Sequence, residues 1–414
     1  MDNQINSKTH LLNISQLVLA IIILFWLNSG IFSYVLPFVP NFLKAIIVLL
    51  WFLLALSVKG FLQKFVLKSR MLVLFIAICL IATTIYSNEI LQMWLQNLLY
   101  LLIIYAIWLF YSKDDQNKRK RIILVALSID MVWVGINTAI QLQLNPLLAR
   151  HLSTSLTTKQ QIFGNIEYYA VGGYGFVYGL IILMLLLLFR VISSKKRKVL
   201  DLVMFFAAVG IILESQFTIA ILFAGAFAAI LLSRVFIKTR NYLFFVVTLV
   251  CLIALWLFSQ NIIKIVSESS FIHQEVSIRI NEMLNAMAYN SADEGDLGSR
   301  LGFYAISMNS FFSNVLYGTF GSGGIGGHST MFDLLGLFGL LSLLFISFIY
   351  ATTKEMWLSL SGNRRVVMKV LLVYYFCFAI LNNAIFGTIF ICLFIFAPFT
   401  LSLMEQVAKG EKIQ

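Results

Sequence analysis

The chain has 414 residues, of which 60% are hydrophobic and only 12% are charged. Soluble globular proteins carry about 25% charged residues, so this composition excludes a water-soluble protein and indicates a polytopic membrane protein. The net charge of +12 would suit a nucleic-acid-binding protein, but the basic residues cluster between the apolar segments, where they record membrane orientation.

Apolar segments long enough to span a bilayer recur along the whole chain. A helix that crosses ~30 Å of hydrocarbon needs about 20 residues. The pattern predicts a single all-α membrane domain over 1–414, and its first segment is too long for a removable signal peptide, so we expect it to be retained. The twelve predicted transmembrane helices are 11–35, 41–58, 71–87, 90–111, 121–142, 166–189, 199–213, 217–233, 241–260, 329–350, 367–384 and 387–404.

The basic residues give the orientation of this domain. Cytoplasmic loops of membrane proteins are enriched in Lys and Arg. If both termini are cytoplasmic, all but six of the 30 Lys and Arg residues lie in cytoplasmic segments, where they also contact anionic lipid. The sequence therefore predicts cytoplasmic termini and membrane lipid, not nucleic acid, as a partner. The six basic residues on the outer side are Lys44, Arg150, Lys159, Lys264, Arg279 and Arg300.

Two predicted external loops, 143–165 and 261–328, are far longer than ordinary connections. The median connection has about 4–6 residues, and loops of this size are usually functional or disordered. Apolar residues in the second loop recur every three or four positions, which predicts an amphipathic helix on the outer face of the membrane. A second apolar and aromatic stretch follows, with Arg300 at its start. The apolar positions of the first helix are Ile272, Val276, Ile280, Met283 and Met287.

The sequence offers no metal or disulfide framework. All the cysteines lie inside apolar segments without metal-type spacing and are predicted to be packing residues. The acidic group Asp293, Glu294 and Asp296 lies in a polar, glycine-containing stretch, which favours a solvated loop over a cation site. The four cysteines are Cys79, Cys251, Cys377 and Cys392.

The densest group of chemically useful residues runs from Arg300 to Gly339. A glycine-rich turn that includes Gly326 and Gly327 leads to His328, directly before a predicted transmembrane helix. Free amide groups of such a turn, together with a helix N-terminus, bind anions. Arg300 adds a guanidinium suited to phosphate oxygens, and His328 adds an imidazole that can accept a proton from a hydroxyl. Each feature alone also has a structural explanation: a flexible loop, an interfacial histidine, or an arginine paired with a nearby carboxylate.

The order of these residues resembles the signature of the O-antigen ligase and polymerase superfamily. That pattern has an Arg, a nearby aromatic, a glycine pair, and His-Asn at the head of a helix that contains Gly-x-x-Gly; here Ser329 stands at the Asn position. The segments 162–176 and 214–234 resemble two further family segments, although Gln216 stands where Arg is expected. The matching residues are Arg300, Tyr304, Gly318, Gly321, His328, Gly336 and Gly339.

The resemblance implies a metal-independent glycosyltransferase without a cofactor, located in a bacterial cytoplasmic membrane. Such proteins act on oligosaccharides linked to undecaprenyl diphosphate: polymerases transfer the growing glycan onto the next lipid-linked repeat unit, and ligases transfer it onto a different acceptor. Capsule, exopolysaccharide or O-antigen synthesis is the expected process, with a chain-length regulator protein as a partner.

The resemblance also implies a role for each matching position. Arg300 would hold the donor diphosphate and His328 would activate the acceptor hydroxyl. Because Gln216 replaces the expected Arg, a second cation must come from elsewhere on the outer face. The remaining expected substrate-binding residues are Arg150, Lys159, Arg279, Tyr304, Gly326, Gly327 and Asp333.

Polar residues inside the apolar segments are costly and are often functional. Asp130 lies in mid-helix without an obvious basic partner, which favours a structural hydrogen bond over a proton relay. Asp333 is expected to reach substrate hydroxyls or to pair with Arg300. Asn382 and Asn383 either pack against the site or join helices.

Three further interpretations compete with a polymerase. A ligase shares the same signature, and the sequence does not separate the two. A flippase for lipid-linked oligosaccharide would place charged residues inside several membrane segments, whereas here the charges concentrate in loops. A scaffold or sensor without catalysis would not need the clustered Arg, Gly and His residues.

Overall fold

The computed structural model describes residues 2–28, 39–144, 148, 171–193, 198–237 and 296–408. All regular secondary structure in these ranges is helical, as the apolar pattern predicts. The helices are α1 (Asp2–Leu27), α2 (Asn41–Leu56), α3 (Phe61–Tyr86), α4 (Glu89–Tyr111), α5 (Asn117–Leu144), α6 (Tyr174–Ser193), α7 (Lys198–Glu214), α8 (Thr218–Ile237), α9 (Asp296–Ser313), α10 (Thr330–Phe338), α11 (Leu343–Leu358), α12 (Gly362–Leu381), α13 (Gly387–Ile391) and α14 (Ala397–Ala408). Short helical turns at Asp114–Gln116, Gly339–Ser342 and Cys392–Phe396 join some of them.

Within the described residues, six helical segments are long and apolar enough to cross a membrane. Three shorter apolar helices, Leu12–Leu27, Asn41–Leu56 and Thr218–Arg234, accompany them in the described ranges. The predicted count of twelve spans, the position of the termini and the ordering of the long loop stay predictions. The six segments are Phe61–Tyr86, Glu89–Tyr111, Asn117–Leu144, Tyr174–Ser193, Thr330–Leu358 and Gly387–Ala408.

Outward faces of these helices carry large apolar side chains. On α3, for example, Leu62, Val66 and Leu67 are each more than half exposed. A soluble monomer rarely exposes contiguous apolar surface of this extent, because the contact of each such side chain with water is unfavourable in free energy. Contact with lipid tails removes that cost, so the surface supports a membrane location.

Each predicted segment other than 241–260, which lies outside the described residues, contains a helix of the structure. Helix α3 begins at Phe61, well before the predicted start at 71, so basic residues expected in a loop lie on the helix instead. Lys and Arg are good helix formers whose aliphatic stems cover apolar surface, and Lys68 forms an ion pair with Glu355 of α11. The basic residues therefore lie within the first turns of this helix and do not mark the residue at which it begins.

The predicted helix 329–350 is divided into α10 and α11. Gly339 separates them with a φ of +54°, and its Cβ position would collide with the carbonyl oxygen of Val315. The amide of Leu340 donates to that same oxygen at 2.9 Å. A residue with a side chain would be strained at this positive φ and would collide with the Val315 carbonyl oxygen, which explains glycine at the break.

Ion pairs join the helices at one end of the bundle. Arg190 of α6 pairs with Asp201 of α7 at 2.9 Å, and Arg364 near the start of α12 pairs with Glu405 of α14 at 2.5 Å. Asn382, the residue after α12, follows Arg364 by 18 positions, which corresponds to about 27 Å at 1.5 Å per residue. The loop between α9 and α10 contacts this second end of α12, so it lies at the opposite end of the bundle from the ion pairs.

Asp130 is the carboxylate for which the sequence favours a structural hydrogen bond over a proton relay. Asp130 of α5 is fully buried, and its Oδ2 accepts a hydrogen bond from Asn28 Nδ2 at 2.6 Å. Asn28 directly follows α1. The bond therefore joins α1 to α5, as expected for a structural group.

Candidate functional site

One face of α9 collects the polar and aromatic groups of the candidate site. Three residues follow Arg300 by three, four and seven positions, so they lie on the same side of the helix as Arg300: Phe303, Tyr304 and Ser307. This face packs against α10, whereas Leu301 and Ile306 remain exposed on other faces of α9. The helix thus presents a polar stripe inward at the end of the bundle.

Two side chains of this stripe reach the end of α12. The Arg300 Nη1 donates to Asn382 Oδ1 at 3.1 Å, and the Tyr304 hydroxyl donates to the Leu381 carbonyl oxygen at 2.6 Å. Helix α12 ends at Leu381, where the chain becomes extended. Arg300 and Tyr304 therefore fasten α9 to the carboxyl end of α12.

The same stripe also holds His328. Its imidazole stacks on the ring of Phe303, with ring centroids 4.4 Å apart and planes inclined by 29°. Phe303 is one helical turn from Arg300, and side chains at this spacing are neighbours, with Cβ atoms about 5–6 Å apart. His328 itself is exposed. A guanidinium and an accessible imidazole therefore lie on one helix face at one end of the bundle.

Asp333, in the first turn of α10, organises the chain on both sides of His328. Its Oδ1 accepts hydrogen bonds from the Ser307 hydroxyl at 2.6 Å and the Gly327 amide at 3.1 Å. Its Oδ2 accepts from the Ser329 amide at 3.1 Å. The carboxylate thus brackets His328 by holding the residue before it and the residue after it.

These bonds correct two expectations from the sequence. The Gly326 and Gly327 amides were expected to be free for an anion, but they donate to Ser307 Oγ at 2.9 Å and to Asp333. Asp333 was expected to face substrate or Arg300, but it is only 3% exposed and its acceptor sites are used by α9 and the loop. The physical reason is that the buried Asp333 carboxylate must be hydrogen-bonded, and the Gly327 and Ser329 amides of the loop donate to it.

The glycines of the loop permit close packing against the neighbouring helices. A Cβ at Gly326 would collide with the Phe303 carbonyl oxygen of α9, and one at Gly318 would collide with the Gly336 carbonyl oxygen of α10. The Thr319 amide donates to the Gly336 carbonyl at 2.8 Å across the same contact. The loop is therefore packed against α9 and α10, which differs from the flexible glycine run that the sequence left open.

Ser329, which stands at the expected Asn position, caps α10. Its hydroxyl accepts from the Phe332 amide at 3.2 Å, as an N-cap side chain does. Next to it, the Thr330 amide donates to the Asn382 carbonyl oxygen at 3.1 Å, and the Ala384 amide donates to Thr330 Oγ1 at 2.6 Å. The start of α10 is thereby joined to the segment that follows α12.

An aromatic cluster lies beneath the Arg300–Asn382 contact. Tyr178 of α6 stacks on Phe378 of α12 with centroids 4.1 Å apart, and Tyr174 packs on Phe386 at 5.6 Å. Phe378 lies one helical turn before Asn382, whose main-chain amide donates to the Phe378 carbonyl at 2.8 Å. The cluster therefore packs next to the residue that Arg300 contacts.

Several predicted site residues have no structural test. Arg150, Lys159 and Arg279 lie outside the described residues, as do Asp293 and Glu294. The structure thus brings together Arg300, Tyr304, His328 and Asp333 among the predicted residues and leaves the second cation unassigned. Gln216, at the position where the family pattern has Arg, is buried at the turn between α7 and α8.

Sequence reasoning missed two contributors, Phe303 and Ser307. Both were accessible, because they follow Arg300 by three and seven positions on the same predicted helix. Asn382 was expected either to pack against the site or to join helices, and the structure shows it in contact with Arg300. Its contact with Arg300 spans 82 positions, and no local pattern reports such a contact.

Comparisons with known proteins add no family assignment. No family model matches the chain. No curated protein matches it either.

Proposed function

We propose that this chain is a polysaccharide polymerase that transfers a glycan from undecaprenyl diphosphate onto the next lipid-linked repeat unit, at the outer face of a bacterial cytoplasmic membrane. The observation that carries the proposal is the arrangement of Arg300 and His328 on one face of α9 at a single end of an apolar helix bundle. The ordered signature of Arg, aromatic, glycine and His residues gives the reaction class.

In the proposed reaction, the acceptor hydroxyl oxygen attacks the anomeric carbon of the donor sugar. The bond from that carbon to the phosphate oxygen breaks, and undecaprenyl diphosphate leaves with the bonding electrons. His328 accepts the proton of the attacking hydroxyl, for which its exposed imidazole is suited. Arg300 stabilises the negative charge that develops on the leaving diphosphate.

The apolar surface of the bundle fits a lipid-linked substrate. An undecaprenyl chain must stay in the hydrocarbon while its diphosphate and sugars lie at the membrane boundary. Helices such as α3 and α5 expose large apolar side chains along their length, and the candidate site lies at one end of the bundle. A site at the end of an apolar bundle therefore suits a substrate that is lipid in one part and sugar in the other.

The test uses cells in which this chain is the only source of the activity. We expect His328→Ala and Arg300→Ala each to abolish the ladder of long polysaccharide while single-repeat lipid intermediates accumulate. Ser322→Ala, on the exposed part of the same loop, is the matched control and should keep the ladder. Normal ladders in both site variants, at normal protein abundance, would remove the catalytic assignment.

The same experiment separates a polymerase from a ligase. Loss of a polymerase leaves single repeats, whereas loss of a ligase leaves long glycan that is still attached to undecaprenyl diphosphate. Long lipid-linked glycan in the His328→Ala strain would therefore favour the ligase.

A further inference from the structure

The orientation of the Asn382 side chain follows from its neighbour. The Arg300 guanidinium has only hydrogen-bond donors, so the Asn382 atom that faces it at 3.1 Å must be the oxygen. The assignment of amide oxygen and nitrogen in an asparagine depends on such partners. Since Oδ1 is fixed on Arg300, Nδ2, which is bonded to the same side-chain carbon, lies beside that contact and offers two N–H donors.

This amide nitrogen is buried and has no hydrogen-bond partner within the described part of the chain. Asn382 as a whole is only 4% exposed. A buried donor without an acceptor costs about 1–3 kcal/mol. An acceptor that arrives with a ligand, an ion or water removes this cost.

The residue is also held rigidly. The main-chain amide of Asn382 donates to the Phe378 carbonyl at 2.8 Å, and its main-chain carbonyl accepts from the Thr330 amide at 3.1 Å. The Tyr304 hydroxyl fixes the preceding carbonyl, that of Leu381. Because these main-chain hydrogen bonds already fix the position of Asn382, its side-chain amide loses little conformational entropy when it binds an acceptor, which favours affinity.

We propose that the Asn382 amide donates a hydrogen bond to a phosphate oxygen of the lipid diphosphate held by Arg300, which makes Asn382 a substrate-binding residue. This inference rests on the proposed function and identifies part of its diphosphate site. Guanidinium and amide then contact the same anion from adjacent positions, and Asn382 Oδ1 orients the guanidinium. Phosphate oxygens accept only, so they match the two N–H donors of the Asn382 side-chain amide.

The test measures the binding of undecaprenyl diphosphate to the purified full chain in phosphatidylcholine nanodiscs, from the shift in thermal unfolding as the lipid is titrated. Asn382→Asp keeps an oxygen against Arg300 and removes the donor. Asn382→Ala removes the donor without adding a charge. Asn314→Asp is the control, because Asn314 lies just after α9 and uses its Oδ1 to accept from the Tyr317 amide.

We expect the wild type and Asn314→Asp to bind alike. Both Asn382 variants should bind at least about tenfold more weakly, because a hydrogen bond to a charged group is lost. Wild-type affinity in Asn382→Ala would overturn the inference while the proposed function stands. No binding by the wild type would overturn the proposed diphosphate donor itself. A nanodisc arm with phosphatidylglycerol tests the source of the anion: equal stabilisation by that lipid alone would assign the site to ordinary headgroups and overturn the diphosphate.

Discussion

Replacement of Asp333 by Asn tests how His328 is positioned. The carboxylate accepts hydrogen bonds from Ser307, Gly327 and Ser329. In the Asn variant one of its two oxygens becomes an N–H₂ group, which cannot accept a hydrogen bond from the donor that it faces. If the nitrogen takes the position of Oδ2, the buried Ser329 amide loses its acceptor. If the side chain flips, the part-buried Gly327 amide loses its acceptor, whereas the Ser307 hydroxyl can turn to the Phe303 carbonyl.

The cost follows from the chemistry of the lost contact. An unpaired buried donor costs about 1–3 kcal/mol, and the remaining bonds weaken because their acceptor is no longer charged. We therefore expect the free energy of unfolding to fall by about 2–3 kcal/mol. Because the affected residues flank the imidazole, kcat should fall while the affinity for the lipid diphosphate donor changes little.

The assay compares thermal unfolding, donor binding and the initial rate of chain growth for the wild type and Asp333→Asn. A variant with wild-type stability and wild-type kcat would refute the role of this carboxylate as the clamp around His328. A lower donor affinity at unchanged kcat would instead show that Asp333 contacts the substrate, which is what the sequence alone suggested.

Two further predictions concern packing and the buried carboxylate in the bundle. Gly326→Ala should abolish chain growth and lower the melting temperature, because its Cβ would collide with the Phe303 carbonyl; Gly302→Ala, which meets nothing within 4 Å, is the matched control and should be active and equally stable. Asn28→Ala should lower the free energy of unfolding by about 1–3 kcal/mol, because it removes a donor from buried Asp130. Its polysaccharide ladder should stay normal, and a lost ladder at normal stability would indicate a functional role for that carboxylate.

The sequence predicted the helical architecture well because every spanning segment must have apolar side chains and internally satisfied backbone hydrogen bonds, whether it faces lipid or the protein core. Twenty apolar residues in a row form a helix in hydrocarbon, so the positions of α4, α5 and α7 follow closely from composition, whereas α6 begins at Tyr174, later than the predicted start at 166. The start of α3 was wrong because charged residues that pair, such as Lys68 with Glu355, do not end a helix.

The candidate site was only partly predictable. Arg300 and Tyr304 stand out because their spacing and their place before a glycine-rich turn are local features. The occupation of the Gly327 amide by Asp333 was not visible, because it depends on the exact fold of that turn. The contact between Arg300 and Asn382 joins distant parts of the chain, so it required the packing of α9 on α12.

The central claim is that Arg300 and His328 act on one diphosphate-linked donor, and a single-turnover reaction tests it most directly. Purified chain in nanodiscs is mixed with lipid-linked repeat unit, and glycosidic bonds formed and undecaprenyl diphosphate released are both counted. We predict one diphosphate released per bond by the wild type, donor binding without release by His328→Ala, and weakened donor binding by Arg300→Ala. Absence of release by the active wild type, or wild-type release by both variants, would contradict the account.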